Sequence, residues 1–374
     1  MAARRATALI AALGMLPCLG AAQNVTVRVD GVPLGEVIEQ LKLESSVEIL
    51  TDTVPHEALA HPITYEATDV PIKRALREIA CRAGLRLYTP PPMGRTGRSY
   101  RLMVRPPGTV EPPTVQAGSY LVALTRITIS DERTLHLDRT EPLALRNSLV
   151  LSLQAEADTE QDAAALLAVH PLVTATDNTG TSLEPLQPMP EEWQGRSYRP
   201  AWQETVHATV TLAPPAKQAT SLASIAGELV VAAEATPIRF EFDAAKPGEQ
   251  QERDGYTLRL DAVQRRDRAS VEIRFTMTTP TAAGEPGPPG PPMRLPSATC
   301  TIVLADGTEV LVPTGIATAQ AADGGTTWHL TCRAYTFRPG AQPAKVLYSF
   351  FHRSSETTRV PFEFQNIPLP TLAD

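Results

Sequence analysis

A pattern of strand, turn, proline and helix occurs twice near the start of the chain, and the two copies align without a gap. Residues 25–50 hold the first copy and residues 63–88 the second. In each copy a strand-like run leads through a turn into a Val-Pro pair and then a helix-like segment. These segments place apolar residues at i, i+3, i+4 and i+7, which is one helix face: Leu34, Val37, Ile38 and Leu41, then Ile72, Ala75, Leu76 and Ile79.

Prolines and a glycine set the predicted ends of these helices. Pro33 and Pro71 suit the first helical turn, where a missing N–H costs no hydrogen bond. Gly84 suits the end of the second helix. A closing strand is predicted from the alternation of Tyr100, Leu102 and Val104. The order is βαββαβ, an α+β module in which two helices cover one face of a small sheet.

This module, over residues 23–105, resembles the short N-terminal domain shared by secretins and TonB-dependent outer-membrane receptors. The resemblance rests on apolar positions and turns, in the segments Val27–Val29, Val32–Ile38, Val47–Ile49, Val70–Leu76 and Gly84–Tyr88. It implies a periplasmic protein-docking module without catalytic residues. The rest of the chain shows neither a barrel of ~22 strands nor a secretin pore segment. We therefore expect the module to be fused to other domains.

Residues 1–22 are typical of a secretory signal peptide. Arg4 and Arg5 precede an apolar run from Ala6 to Gly20, and small residues lead to a predicted cleavage after Ala22. A run of ~15 apolar residues is short for a membrane-spanning helix. No later run is longer, so no transmembrane segment is expected after cleavage. We expect an exported protein, in the periplasm or associated with the outer membrane.

The charge balance disfavours one class of partner. The chain has 34 Lys and Arg against 41 Asp and Glu, a net charge of −7. Nucleic-acid affinity comes largely from the neutralisation of phosphates, so no nucleic-acid partner is expected. Basic residues do gather on the second predicted helix. Lys73, Arg74 and Arg77 are candidate docking residues for an envelope or outer-membrane protein, and a solvated helix face is the alternative.

Beyond a proline-rich linker, residues 106–116, the apolar period changes to two, which predicts β-strands. Two antiparallel Ig-like β-sandwiches are predicted, over residues 117–215 and 219–370. The second is predicted to begin with the strand of Ile225, Leu229 and Val231 and to close with that of Val360, Phe362 and Phe364. The predicted fold class is an α+β module followed by all-β domains.

Three cysteines follow the predicted cleavage position. Cys81 lies on the second predicted helix and is expected to be buried. Cys300 and Cys332 each alternate with apolar residues, so both are predicted to point into the second sandwich. A disulfide between them is possible in an oxidising compartment. Spacing alone cannot establish the required geometry, so the bonded and the free forms both stay open.

The sequence contains no recognisable reaction motif. His56 and His61 are five residues apart, one more than the zinc-protease spacing allows. Nucleophile-elbow, phosphate-loop and dinucleotide-binding patterns are also missing. The acidic run from Glu156 to Asp162 lacks a turn glycine, which favours a solvated loop over a calcium site. We expect no catalytic residues, no cofactor and no metal.

One aromatic segment suggests a second function. It contains two of the three tryptophans, and Trp, Tyr and Arg are enriched in binding hot spots. The candidate residues are Trp193, Arg196, Tyr198 and Trp202. Exposed, they suit stacking on a sugar ring; the alternative is that both tryptophans fold back on the core. Two functions therefore stay open: non-catalytic protein docking through the N-terminal module, and polysaccharide binding through this segment.

Overall fold

The computed structural model describes residues 9–12, 24–45, 47–89, 99–108, 110–134, 144–170, 173–186, 205–267, 270–280, 298–312, 314–322, 325–334, 341–354 and 356–370. Over these residues the chain is mostly β and forms several antiparallel sheets, as expected for its all-β part. It divides into two compact units. The first holds the described residues up to 107 and those of 236–352; the second holds those of 108–235 and 353–370.

The N-terminal part of the first unit contains β1 (Leu9–Ala12), β2 (Asn24–Pro33), α1 (Leu34–Glu44), β3 (Glu48–Leu50), α2 (His56–Leu59), β4 (Pro62–Pro71), α3 (Ile72–Arg82), β5 (Leu85–Tyr88) and β6 (Ser99–Val104). Two three-stranded sheets form, in the orders β1-β2-β4 and β3-β6-β5. The first is antiparallel; in the second, β3 runs parallel and β5 antiparallel to β6.

Helices α1 and α3 begin directly after Pro33 and Pro71 and bury the faces that their periodicity predicts. Gly84 follows α3 with a φ of +69°, a left-handed conformation that glycine adopts without steric cost. Strands of both sheets contact each helix: β2 and β3 contact α1, and β2, β4 and β5 contact α3. The prediction of one sheet covered on one face is therefore wrong. Strands β2 and β4 are both ten residues long and pair with each other. Strands β3 and β5 have only three and four residues and pair with β6 in the other sheet.

The remaining elements are β7 (Thr114–Ala117), β8 (Tyr120–Thr134), β9 (Ala144–Ala157), α4 (Glu160–Ala165), β10 (Leu166–Val169), β11 (Thr174–Asp177), β12 (Ser182–Leu183), β13 (Thr205–Leu212), β14 (Ser221–Ala232), β15 (Ala235–Asp243), β16 (Gln250–Arg253), β17 (Tyr256–Arg265), β18 (Val271–Pro280), β19 (Ala298–Leu304), β20 (Glu309–Val312), β21 (Thr314–Ala322), β22 (Gly325–Ala334), β23 (Pro343–Arg353) and β24 (Thr357–Pro368). Strand β7 begins inside the predicted linker, where its residues pair with β8.

The second unit contains a sheet in the order β13-β9-β8-β7 and another in the order β10-β14-β11-β12, with β24 paired to β14. The sequence interpretation assigned β14 and β24 to the last sandwich, and the pairing contradicts it. An alternating pattern shows which face of a strand is buried but not which strand lies beside it. Here β14 pairs with β10 and β11 on one edge and with β24 on the other.

The C-terminal part of the first unit contains two antiparallel sheets around one core. Their strand orders are β15-β23-β19-β20 and β16-β17-β18-β22-β21. Aromatic side chains fill much of this core, with stacked, tilted or edge-to-face ring contacts among Phe240, Phe242, Phe275, Tyr348 and Phe350. The core draws on both sheets, because apolar residues that alternate along β17, β18, β19 and β22 point into it.

Candidate functional site

Helix α3 carries the candidate docking residues, and the structure places one of them inside the protein. The Lys73 side chain is buried, with 1% of its surface exposed. The prediction that Lys73 is a surface docking residue is therefore wrong. A helix that contacts two sheets buries more of its surface than a helix that packs on one face of a single sheet. In α3 the buried surface includes Lys73, next to Ile72. Cys81, expected to be buried, is exposed on the same helix.

The other basic residues of α3 are partly or fully exposed, although the Nη2 atom of Arg77 is buried. Arg74 Nε lies 3.3 Å from Glu78 Oε1, and these side chains are 35% and 42% exposed. Arg77 is half-buried and Arg82 is exposed. An ion pair this accessible to water contributes at most about 1 kcal/mol. We call Arg74, Arg77, Glu78 and Arg82 the α3 patch.

The structure holds one end of the α3 patch in place. The Arg82 guanidinium donates a hydrogen bond to the Thr64 carbonyl, and its carbon lies 4.8 Å from the centre of the Tyr65 ring. A cation over an aromatic face is attracted to it. Burial, followed by the nearby Glu78 carboxylate, raises the pKa of Tyr65 well above its usual range. Tyr65 therefore stays neutral and supports Arg82.

The acidic segment of the second unit differs from the solvated loop that was predicted. Asp158 is buried, with 2% of its surface exposed. The residues after it form the short helix α4, and the Thr159 Oγ1 accepts a 3.0 Å hydrogen bond from the Asp162 N–H. This is an N-cap, which satisfies a backbone donor at the helix start. Two of the acidic side chains also have partners: Asp158 accepts a hydrogen bond from Gln116 Nε2, and Asp162 accepts one from Thr159 Oγ1.

The aromatic candidates Trp193, Arg196, Tyr198 and Trp202 lie outside the described residues. Polysaccharide binding through them stays a prediction.

The structure brings Cys300 and Cys332 together. Cys300 lies on β19 and Cys332 on β22, in the two sheets that share the aromatic core, and both side chains are fully buried as free thiols. Interaction with the Cys332 thiol, followed by burial, raises the pKa of Cys300 well above its usual range. The inward direction predicted for both cysteines is confirmed.

Sequence reasoning missed a charged cluster around Glu272 on β18. This carboxylate is buried, with 2% of its surface exposed. It accepts hydrogen bonds from Arg266 Nη2 at 2.6 Å and Arg333 Nε at 3.0 Å, and Arg274 Nε lies 3.8 Å away. The bond from Arg266 lowers the pKa of Glu272 against the opposing effect of burial, with help from Arg333. The signal in the sequence was the arginine-rich segment Arg265-Arg266-Asp267-Arg268, just before this strand.

Comparisons of the chain with protein-family models, with curated proteins and with solved structures gave no match. Within the ranges that the structure describes, no three His, Cys, Asp or Glu side chains are grouped to hold a metal ion. No helix in the described part of the chain is both long and apolar enough to cross a membrane. The functional argument therefore rests on the residues themselves.

Proposed function

We propose that the chain is an exported, non-catalytic protein of the cell envelope, in the periplasm or at the outer membrane, and that residues 24–104 dock another envelope protein. The observation that carries this proposal is the duplicated order β2-α1-β3 and β4-α3-β5 around one core. The signal-peptide pattern of residues 1–22 supports the proposed export. The finer fold assignment, an α+β module of the secretin and TonB-receptor type followed by two Ig-like sandwiches, belongs to the same proposal.

The α3 patch is the surface that we assign to docking. Thr64 and Tyr65 hold Arg82 in place, and the one acidic residue of the patch, Glu78, pairs weakly with Arg74. Guanidinium groups bind carboxylates through two parallel hydrogen bonds, so the patch suits an acidic surface on the partner. Charges at the rim of an interface mainly raise the association rate and set specificity. The β-sandwiches would then act as a spacer or bind a second partner.

The test is crosslinking of the tagged full-length protein in its native host, followed by mass spectrometry. We expect an envelope protein to be recovered with the wild type and lost with the double variant Arg74→Glu/Arg77→Glu. The matched control is Lys217→Glu, which reverses an exposed charge in the second unit. Each variant is compared with the wild type by thermal melting, because Arg74 contacts Glu78. Equal recovery of the same partner by a folded double variant would move docking away from α3.

A further inference from the structure

Cys300 and Cys332 lie where the two sheets of the C-terminal part approach each other. Cys300 is paired with Val312 of β20 in one sheet, and Cys332 is paired with Thr314 of β21 in the other. Cα atoms of β20 come within 8 Å of those of β22, and Cα atoms of β19 come within 8 Å of those of β21. A disulfide needs Cα atoms about 4.4–6.8 Å apart and side chains that face each other. Both cysteine side chains are fully buried in the core that the two sheets share, so they face the same interior.

The surroundings of the pair are apolar and closed to water. Tyr348 of β23 lies opposite Cys300, and Ile273 of β18 lies opposite Cys332; all four side chains are at most 1% exposed. Thiol–disulfide exchange requires a thiolate that can reach the oxidant. Both thiols are fully buried in this core, so an oxidant cannot reach them in the folded protein. Oxidation of the pair must therefore take place while the chain folds, before the sheets close over it.

We propose that Cys300 and Cys332 form an inter-sheet disulfide in the mature protein, made during folding by exchange with a disulfide-bearing oxidant of the envelope. The thiolate of one cysteine attacks the oxidant's disulfide, which forms a mixed disulfide and releases one oxidant thiolate. The second cysteine then attacks the sulfur of the first, and the other oxidant thiolate leaves. Two protons leave the cysteines, and the oxidant's disulfide takes up two electrons and becomes a dithiol.

The bond would close a loop of roughly 30 residues across the sandwich, and such a crosslink stabilises by restricting the unfolded chain. Its reduction is expected to lower the melting temperature on the order of 10 °C. Once the core has closed, the bond is shielded from small reductants by the same burial that shields the thiols. Reduction of the native protein should accordingly need denaturant.

The disulfide proposal rests on the proposed export, and the test distinguishes a failure of one from a failure of the other. Full mature protein from the native host is denatured and alkylated with and without prior reduction, and modified cysteines are located by mass spectrometry. We expect only Cys81 to be modified without reductant, and Cys81, Cys300 and Cys332 to be modified after reduction. Modification of all three without reductant overturns the proposal.

A second arm locates the cause of such a failure. The reduced chain is refolded with oxidised glutathione and assayed in the same way. A disulfide that forms here but not in the host assigns the failure to the compartment, and therefore to the proposed function. Absence of the disulfide in both arms shows that the geometry itself does not support the bond.

Matched variants test the effect on stability. The fall in melting temperature on reduction should disappear in Cys300→Ala/Cys332→Ala and persist in Cys81→Ser. A reductant effect that persists in the double alanine variant contradicts the role of this pair. If the double variant does not fold, the alkylation of the wild type still decides the question.

Discussion

Replacement of Asp177 should lower the stability of the second unit, because this one carboxylate connects two separate segments. Asp177 ends β11 and is buried, with 1% of its surface exposed. Its Oδ1 accepts hydrogen bonds from Thr179 N at 2.9 Å, Thr179 Oγ1 at 2.6 Å and Thr181 N at 3.0 Å. Its Oδ2 accepts a 2.9 Å bond from Ala216 N, beyond the end of β13. The β11–β12 turn is thereby joined to the segment that leads into β14.

The size of the effect follows from the carboxylate's pKa. Burial alone would raise the pKa of Asp177, but hydrogen bonds from Thr179, Ala216 and Thr181 lower it from 3.8 to about 2. At about 1.4 kcal/mol for each pKa unit, this difference corresponds to about 2–3 kcal/mol of stability. A lowered folded-state pKa contributes stability that is fully present above pH 3.8 and is lost as the pH falls towards 2.

The assay is urea unfolding followed by circular dichroism, at pH 7 and at pH 2.5, for the wild type and Asp177→Asn. At pH 7 we expect the variant to lose about 2–3 kcal/mol of stability, because the amide replaces one acceptor by a donor that faces backbone N–H groups. At pH 2.5 the gap should narrow. The control is Glu184→Gln, an exposed carboxylate just after β12. Equal stability of Asp177→Asn and the wild type at pH 7 would refute this reasoning.

Three further predictions concern the two units and the aromatic segment. Gly227→Ala should destabilise the protein by about 1–3 kcal/mol in calorimetry, because its Cβ would lie 2.5 Å from the Phe362 ring; Phe362→Leu should relieve part of that loss. Glu272→Gln should lower stability by about 1–3 kcal/mol in urea unfolding, because the charge-assisted bond from Arg266 is lost; no loss would contradict it. If the glycan hypothesis holds, envelope polysaccharide should quench tryptophan fluorescence in the wild type and not in Trp202→Ala, and an unresponsive wild type counts against it.

Some features of the candidate sites could be predicted from the sequence, and others could not. The inward direction of Cys300 and Cys332 followed from alternation alone, because neighbouring strand residues point to opposite faces. Alternation did not predict that the two cysteines lie in the same core, because this depends on how the two sheets pack against each other. The cluster at Glu272 was hidden for the same reason: Arg333 reaches it from β22, a strand distant in sequence. Local periodicity carries no information about such distant neighbours.

By itself, the sequence determined the local elements. The buried faces of α1 and α3 agree with their apolar spacing, and Pro33 and Pro71 mark where the helices begin, because both effects act over one or two helical turns. Only the tertiary structure decided which elements meet. It paired β14 with β24, distributed the N-terminal strands between two sheets, and enclosed Lys73 within a helix face widened by the second sheet. Strand pairing and burial depend on contacts between residues far apart in the chain, and no local pattern specifies them.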